Sequence, residues 1–278
     1  MKEKKKSGSL LRWVCTVLTV IMALAWLSPL YWITATALKS ESDTIALPPS
    51  LVPYPPDLGA FTFVIQNSPI FRWYFNTILV SALITVFSIV CALTCAYALS
   101  LLEFRGKKLV YLALLVGFML PFSALAIPLF MLMNKLHFVN SYMGIILPQI
   151  ATPLTVIVFK QFFDQVPIDF RNAAVIDGAG DFRILFNIYI PLNWSIIWAM
   201  AIVTFIGAWN NFFWPFIVTN STPMLTIPVG MTQVQSAYGV AFAKTSAIAV
   251  LASIPTAVAY LIFQKRVTQG VMAAAGIK

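Results

Sequence analysis

The sequence predicts an all-α polytopic membrane protein with six transmembrane helices, and three observations lead there. Of its 278 residues, 60% are hydrophobic and 10% charged, and the mean hydropathy is +0.87; a soluble domain carries about a quarter charged residues. The charges sit in short clusters between apolar runs, where they cap helix ends in lipid and cannot coat a globule. Most of those runs are long enough, since a helix needs about 20 apolar residues to cross roughly 30 Å of hydrocarbon.

Taken in order, the first run is Trp13 to Leu38, bounded by Arg12 and Lys39. "MKEKKK" before it imitates a signal peptide, but the run is about twice a signal peptide's 7–15-residue apolar core, which predicts an uncleaved span. Trp73 to Leu102, Leu109 to Asn134 and Leu136 to Phe159 follow. From Ile184 to Ala243 there is no charge, and "NSTPMLTIPVG" (220–230) divides that stretch with turn signals. Thr245 to Gln264 is the last run. Helices are expected near 12–38, 74–101, 109–133, 142–163, 188–217 and 244–264. With both termini inside, all lysines and arginines except Lys39, Arg72, Lys135 and Lys244 fall on the cytoplasmic side, as the positive-inside rule requires. The external 39–72 loop carries "LPPSLVPYPP", which favours extended polyproline backbone.

Several function classes are excluded. The net charge of +9 is spread as topology signals and forms no nucleic-acid patch. No HExxH, GxSxG or GxxxxGK[ST] is present and no span holds paired carboxylates, so neither a catalytic centre, a metal site nor an ATP site is expected in this chain. Cys15, Cys91 and Cys95 sit in apolar runs as packing residues, and His137 is expected at an external interface. No Asp, Glu, Lys or Arg lies mid-span, which argues against the alternative of an ion-coupled secondary transporter acting without an ATPase. The spans carry neutral polarity instead. Gln149, Thr152, Trp209, Asn210, Asn211 and Trp214 are candidate pathway residues, amides beside indoles suiting a neutral, hydroxyl-rich ligand. Interhelical hydrogen bonding with an aromatic belt is the competing reading of the same residues. Pro121, Pro128, Pro148 and Pro153 permit kinks.

One segment, "RNAAVIDGAGDFR" (171–183), resists insertion. Asp164, Asp169, Arg171, Asp177, Asp181 and Arg183 would together cost roughly 15–20 kcal/mol at a bilayer centre, so this is a cytoplasmic loop. Two short helices are expected: one capped by Asp169 and stopped at Gly178–Gly180, the next capped by Asp181 and leading through Pro191 into the fifth span. Phe170, Ala173, Ala174 and Asp177 share a face at three-to-four spacing, fit either for a protein partner or for lipid headgroups.

"NAAVIDGAGDFRILFNIYIPL" resembles the "EAA-x-x-DGA" signature loop of bacterial ABC importer permeases, with Ala173, Ala174, Asp177, Gly178, Ala179, Pro191 and Leu192 in register. "AYALSLLEFRGK" (96–107), "LPFSALAIPLFMLMNKLHFVNSYMGIILP" (120–148), "WNNFFWPFIVTNSTPMLTIPVG" (209–230) and "VTQGVMAAAGIK" (267–278) resemble the maltose-type, carbohydrate-uptake branch. The resemblance runs from about Arg72 to the end. It implies a type I ABC importer permease fold: a basic tail (1–11), a first span (12–38), an external loop (39–72), a five-helix permease domain (73–266) containing a coupling loop (164–191), and a cytoplasmic tail (267–278). It also implies a setting in a bacterial inner membrane, surrounded by lipid. The expected partners are a second permease completing the pathway as a heterodimer, two ATPase subunits holding ATP-Mg, and an extracytoplasmic sugar-binding protein; no cofactor is expected on this chain. By the same resemblance, Phe170 to Ala174 and Asp177 to Ala179 dock on an ATPase. Asn220, Ser221, Thr222, Pro223 and Met224 are expected to reach the binding protein. Where the pattern has a glutamate that pairs with an ATPase cation, this chain has Asn172, preceded by Arg171; an amide can hydrogen bond but contributes no charge.

Overall fold

A computed structural model describes residues 3–237 and 241–274, with side-chain surroundings for 12–234, 241–258 and 260–261. Tyr238 and the last four residues of the expected 267–278 tail lie outside the described residues. Helix is the only regular secondary structure among the described residues. In chain order the helices are α1 (Glu3–Ala37), α2 (Glu41–Thr44), α3 (Gly59–Asn67), α4 (Ile70–Leu101), α5 (Lys107–Met119), α6 (Phe122–Lys135), α7 (Tyr142–Ile150), α8 (Pro153–Asp164), α9 (Ile168–Ile176), α10 (Asp181–Ile184), α11 (Ile190–Leu192), α12 (Trp194–Trp209), α13 (Phe213–Val218), α14 (Ile227–Ala237) and α15 (Phe242–Ala274). A π-helical turn, Leu185–Tyr189, joins α10 to α11, and a 3-10 turn spans Thr222–Met224.

Among the described residues two helices are each long and apolar enough to cross a membrane, Arg12–Ala37 and Ile70–Leu101. Three helix pairs reach that length and apolarity only together, each bent at a short break: Lys107–Met119 with Phe122–Lys135 (106°), Tyr142–Ile150 with Pro153–Asp164 (42°), and Asp181–Leu192 with Trp194–Trp209 (85°). The sixth expected span begins in α15, whose apolar part among the described residues, Phe242–Val258, is shorter.

The third, fourth and fifth spans are therefore not the continuous helices that apolar run length predicts, and the backbone says why. Leu120 precedes Pro121, and both are extended (ψ 124° and 132°), because a residue before proline is driven out of the helical region. Ala151 and Thr152 are likewise out of the helical region (ψ 98° and 88°) before Pro153, which opens α8 at a position needing no N–H. Pro128 and Pro148, by contrast, stay inside α6 and α7. The expected 188–217 helix comes in three pieces, broken at Asn193 and again at 210–212. The basic tail is also different: α1 continues helically from Glu3.

The chain divides into two compact units. In the first (Met1–Ser68 with Met231–Ile254), α1 presents Trp13, Trp26 and other large apolar side chains outward, as a lipid-facing helix should. The loop after it is not wholly extended, since α2 and α3 form within it. Lys39 is buried; its ammonium donates to Ser50 O (2.5 Å) and lies 5.1 Å over the Trp32 ring. The Glu41 carboxylate accepts the backbone N–H groups of Ala243 and Lys244 (both 3.1 Å), so an acid caps the positive end of α15.

The second unit (Pro69–Gly230 with Pro255–Lys278) is organised around α4. One apolar cluster joins Ala96, Tyr97 and Leu99 of α4 to Phe159 and Phe163 of α8 and to Leu185 and Tyr189 of the π turn. Another joins Val80 and Ile84 of α4 to Met133, Ile145, Trp214 and Val218.

Candidate functional site

The inserted polar segment folds as a hook, α9–turn–α10, resting on the first cluster. Pro167, extended (ψ 131°), sits at the N-cap of α9, and Asp169 lies in the first turn without making a side-chain cap. This corrects the expected Asp169 cap. The carboxylate still favours the positive helix end. At the other end Gly178 has φ +76°, its N–H donates to Val175 O (3.0 Å), and Ala179 N–H donates to Ala174 O (2.9 Å). That pair of bonds is a Schellman stop, which places a left-handed residue just past the helix end. Glycine supplies that conformation at no steric cost.

Asp181 departs from expectation too. The cap of α10 is Gly180, and the Asp181 carboxylate instead accepts the Tyr97 hydroxyl (2.9 Å) and lies 3.6 Å from the Arg171 guanidinium. Arg171 and Asp181 thus tie the two arms of the hook to α4. Below them Tyr189 packs edge-on to Tyr97 (5.6 Å) and Phe163 (5.3 Å). The π turn delivers Tyr189 to this position.

The four residues expected on one face separate. Ala174 and Ala179 pack against the apolar cluster, and Arg171 is half-buried beside them, whereas Asn172, Ala173, Asp177 and Gly178 are exposed. Phe170 is half exposed and Ile176 is 86% exposed. The free surface of α9 therefore includes Phe170, Asn172, Ala173, Val175 and Ile176, ending on the Asp177 carboxylate. That carboxylate stands at the negative end of its own helix, where it gains nothing from the helix dipole.

The candidate pathway residues are only partly brought together. Asn211 Nδ2 donates to Gln149 Oε1 (2.5 Å), and Thr152 shares a hydroxyl hydrogen bond with Ser88 (2.6 Å). Both join different helical segments, as the interhelical reading of these residues has it. Trp214 is fully buried, its indole N–H donating to Gly144 O (3.0 Å). Asn210 is exposed and turns back to Ile206 O (3.0 Å). Trp209 lines a mostly apolar cavity of about 450 Å³ with Ile78, Thr85, Trp198, Phe205 and Pro255.

The 220–224 loop is held by residues whose role sequence reasoning missed. Asn140 (φ +58°) accepts with Oδ1 from Asn220 N, Ser221 N and Ser221 Oγ (3.1, 3.1 and 2.9 Å). From α4, Trp73 Nε1 donates to Thr222 O (2.9 Å), Asn76 Nδ2 to Pro223 O and Leu225 O (2.8 Å each), and Thr77 Oγ1 accepts Ile227 N (2.9 Å). The signal available was an amide inside an apolar run. Gly144 completes this region: a Cβ there would stand 2.1 Å from Phe138 O. Gly144→Ala is expected to destabilise by about 1–3 kcal/mol through overpacking, read as a lowered thermal midpoint of the detergent-solubilised chain.

A hook carried on a bundle of broken spans is the architecture of an ABC importer permease. A bacterial ABC transporter that imports the acidic polysaccharide alginate contains a chain of this fold, with a TM-score of 0.81, 24% identity and coverage of 93% of this chain and 97% of that one. The chain belongs to the family of binding-protein-dependent transport system inner membrane components, whose model matches residues 86–272. It is similar to the arabinooligosaccharides transport system permease protein AraQ of Bacillus subtilis (strain 168), 31% identical over 97% of both chains. It is also similar to the trehalose/maltose transport system permease protein MalG of Thermococcus litoralis, 30% identical over 92% of this chain and 93% of the relative. The carbohydrate-uptake resemblance of the sequence thus stands on most of the chain's length.

Proposed function

We propose that this chain is one half of the translocation pathway of an ATP-driven sugar importer, paired with a second permease and driven through the 164–191 loop. The observation that carries the reading is the hook. Its inner side is fastened by Arg171, Asp181 and Tyr97, while its outer side leaves Phe170, Ala173, Ile176 and Asp177 exposed. Small residues allow a partner's backbone to approach, the two apolar side chains supply burial, and the Asp177 carboxylate is placed for a partner cation. ATP-Mg binds on two separate ATPase subunits in this scheme, and both termini lie with them in the cytoplasm. Asn172 hydrogen bonds the ATPase without contributing charge, which leaves Asp177 as the docking anion.

Outside, the Asn220–Met224 loop faces the sugar-binding protein, held in one shape by α4. The cargo is a neutral oligosaccharide or a related sugar or polyol: Gln149 and Asn211 offer amides, and all six candidate pathway residues are uncharged. In the absence of cargo these two amides satisfy each other, and a sugar hydroxyl replaces that bond as it passes.

The test is reconstitution with the ATPase, permease and binding protein of the same operon. Co-purification and ATP-dependent sugar uptake into proteoliposomes are expected. Uptake by the chain alone, insensitive to ATP and abolished by an ionophore, would overturn the reading in favour of an ion-coupled carrier.

A further inference from the structure

Where α4 and α8 end and α5 begins, a cavity of about 360 Å³ is lined by Ser100, Glu103, Lys107, Lys108, Tyr111 and Lys160. None of these residues belongs to the hook, the pathway candidates or the 220–224 loop. We infer that this cavity is a binding site for one phosphodiester anion, the headgroup phosphate of an anionic diacyl phospholipid.

The charge count fits a monoanion. Glu103 pairs with Lys107 (3.1 Å) and Asp164 with Lys160 (2.6 Å), so three ammonium groups set against two carboxylates leave one positive charge. Donors remain for a ligand. Each ammonium has three N–H bonds; Lys107 directs two at Leu102 O and Glu103, and Lys160 directs one at Asp164 while lying 5.3 Å over the Tyr111 ring. The side chains of Lys107 and Lys160 are only 23% and 20% exposed. They are sheltered enough to strengthen an ionic contact, while Lys108 is exposed at the rim. The first turn of α5 adds the positive end of a 13-residue helix whose N-cap, Gly106, provides no side-chain acceptor.

The surroundings favour a lipid over free phosphate. Leu112 follows Lys108 by four residues and so continues the same stripe of α5, and Leu109, Leu112 and Val116 are 70%, 55% and 51% exposed. An anion seated on the lysines has an apolar track for its acyl chains directly alongside. Basic pockets between membrane helices bind anionic headgroups in this way.

The full chain, purified in mild detergent and reconstituted in nanodiscs of either phosphatidylglycerol or phosphatidylcholine, tests the site by native mass spectrometry of retained lipid. Phosphatidylglycerol is expected to be retained selectively. Lys108→Gln and Lys107→Gln should each weaken retention roughly fivefold, and Lys135→Gln should leave it unchanged. Equal retention of both lipids by the unaltered chain overturns the inference whether or not the variants fold. Loss of the selectivity in inorganic phosphate at millimolar concentration would show a free-anion site and overturn the lipid assignment. The assay needs neither ATPase nor sugar, so its failure is distinguishable from failure of the transport reading.

Discussion

Asn76→Ala is expected to destabilise the chain by about 2–6 kcal/mol and to release the 222–225 turn. The side chain is fully buried, and its amide donates to two carbonyls, Pro223 O and Leu225 O, while its oxygen accepts the Tyr142 hydroxyl (2.7 Å). Removing it strands the buried Leu225 carbonyl and the part-buried Pro223 carbonyl, at about 1–3 kcal/mol for each left unsatisfied. Trp73, Asn76 and Thr77 lie three and four residues apart on one stripe of α4, so they clamp the segment 222–227 from a single rigid element. Gly230 closes the same contact, since a Cβ there would stand 2.3 Å from the Trp73 ring. Asn76→Asp separates hydrogen bonding from packing: it keeps the shape but aims a carboxylate at two carbonyl oxygens. It should be at least as damaging as alanine, recovering in part only as acid protonates the introduced carboxyl. Thermal unfolding in detergent, followed by limited proteolysis within 220–225, reads both effects. An Asn76→Asp protein as stable as the unaltered chain at neutral pH would sink the clamp.

Run length, charge placement and glycine position made much of this fold legible. Gly178 was readable as a helix stop because a left-handed residue past a helix end is a local demand. The 171–183 loop was readable because insertion energy forbids its charges in lipid. The bends at Leu120–Pro121 and Ala151–Pro153 were half legible. Proline announces a missing N–H, but Pro128 and Pro148 remain within helices, so only the tertiary surroundings decide which proline breaks the chain. Asp169 and Asp181 had the right chemistry for caps, yet Pro167 and Gly180 occupy those positions, and Asp181 goes instead to Tyr97, 84 residues away. The same non-locality hid Asn76, whose partners follow it by nearly 150 positions. Among the pathway residues, Trp214 looked like a ligand platform in sequence because indoles serve both purposes; its burial against Gly144 makes it a core residue.

Ala173→Asp is expected to abolish sugar uptake while leaving the chain folded, and its neighbour shows why. Ala173 and Ala174 are chemically identical and adjacent, but one faces out and the other packs against the apolar cluster that includes Tyr97, Phe163 and Tyr189. A carboxylate at 174 enters the apolar cluster and competes with Asp181 for the Arg171 guanidinium, so Ala174→Asp should lower stability and prevent assembly altogether. At 173 the same carboxylate is solvated in the isolated chain, and the thermal midpoint should not move. Its cost appears only on docking, where an uncompensated charge buried at an interface costs about 3–5 kcal/mol, roughly a hundredfold or more in the docking equilibrium. Uptake should then fall to background, and ATPase subunits should wash away from the purified permease. Ala173→Ser, small and neutral, should retain both. Normal uptake by Ala173→Asp would remove α9 from the drive path. A loss of folding in that variant would instead place Ala173 in the core, contradicting its exposure; because unfolding and undocking are measured separately, the two outcomes cannot be confused.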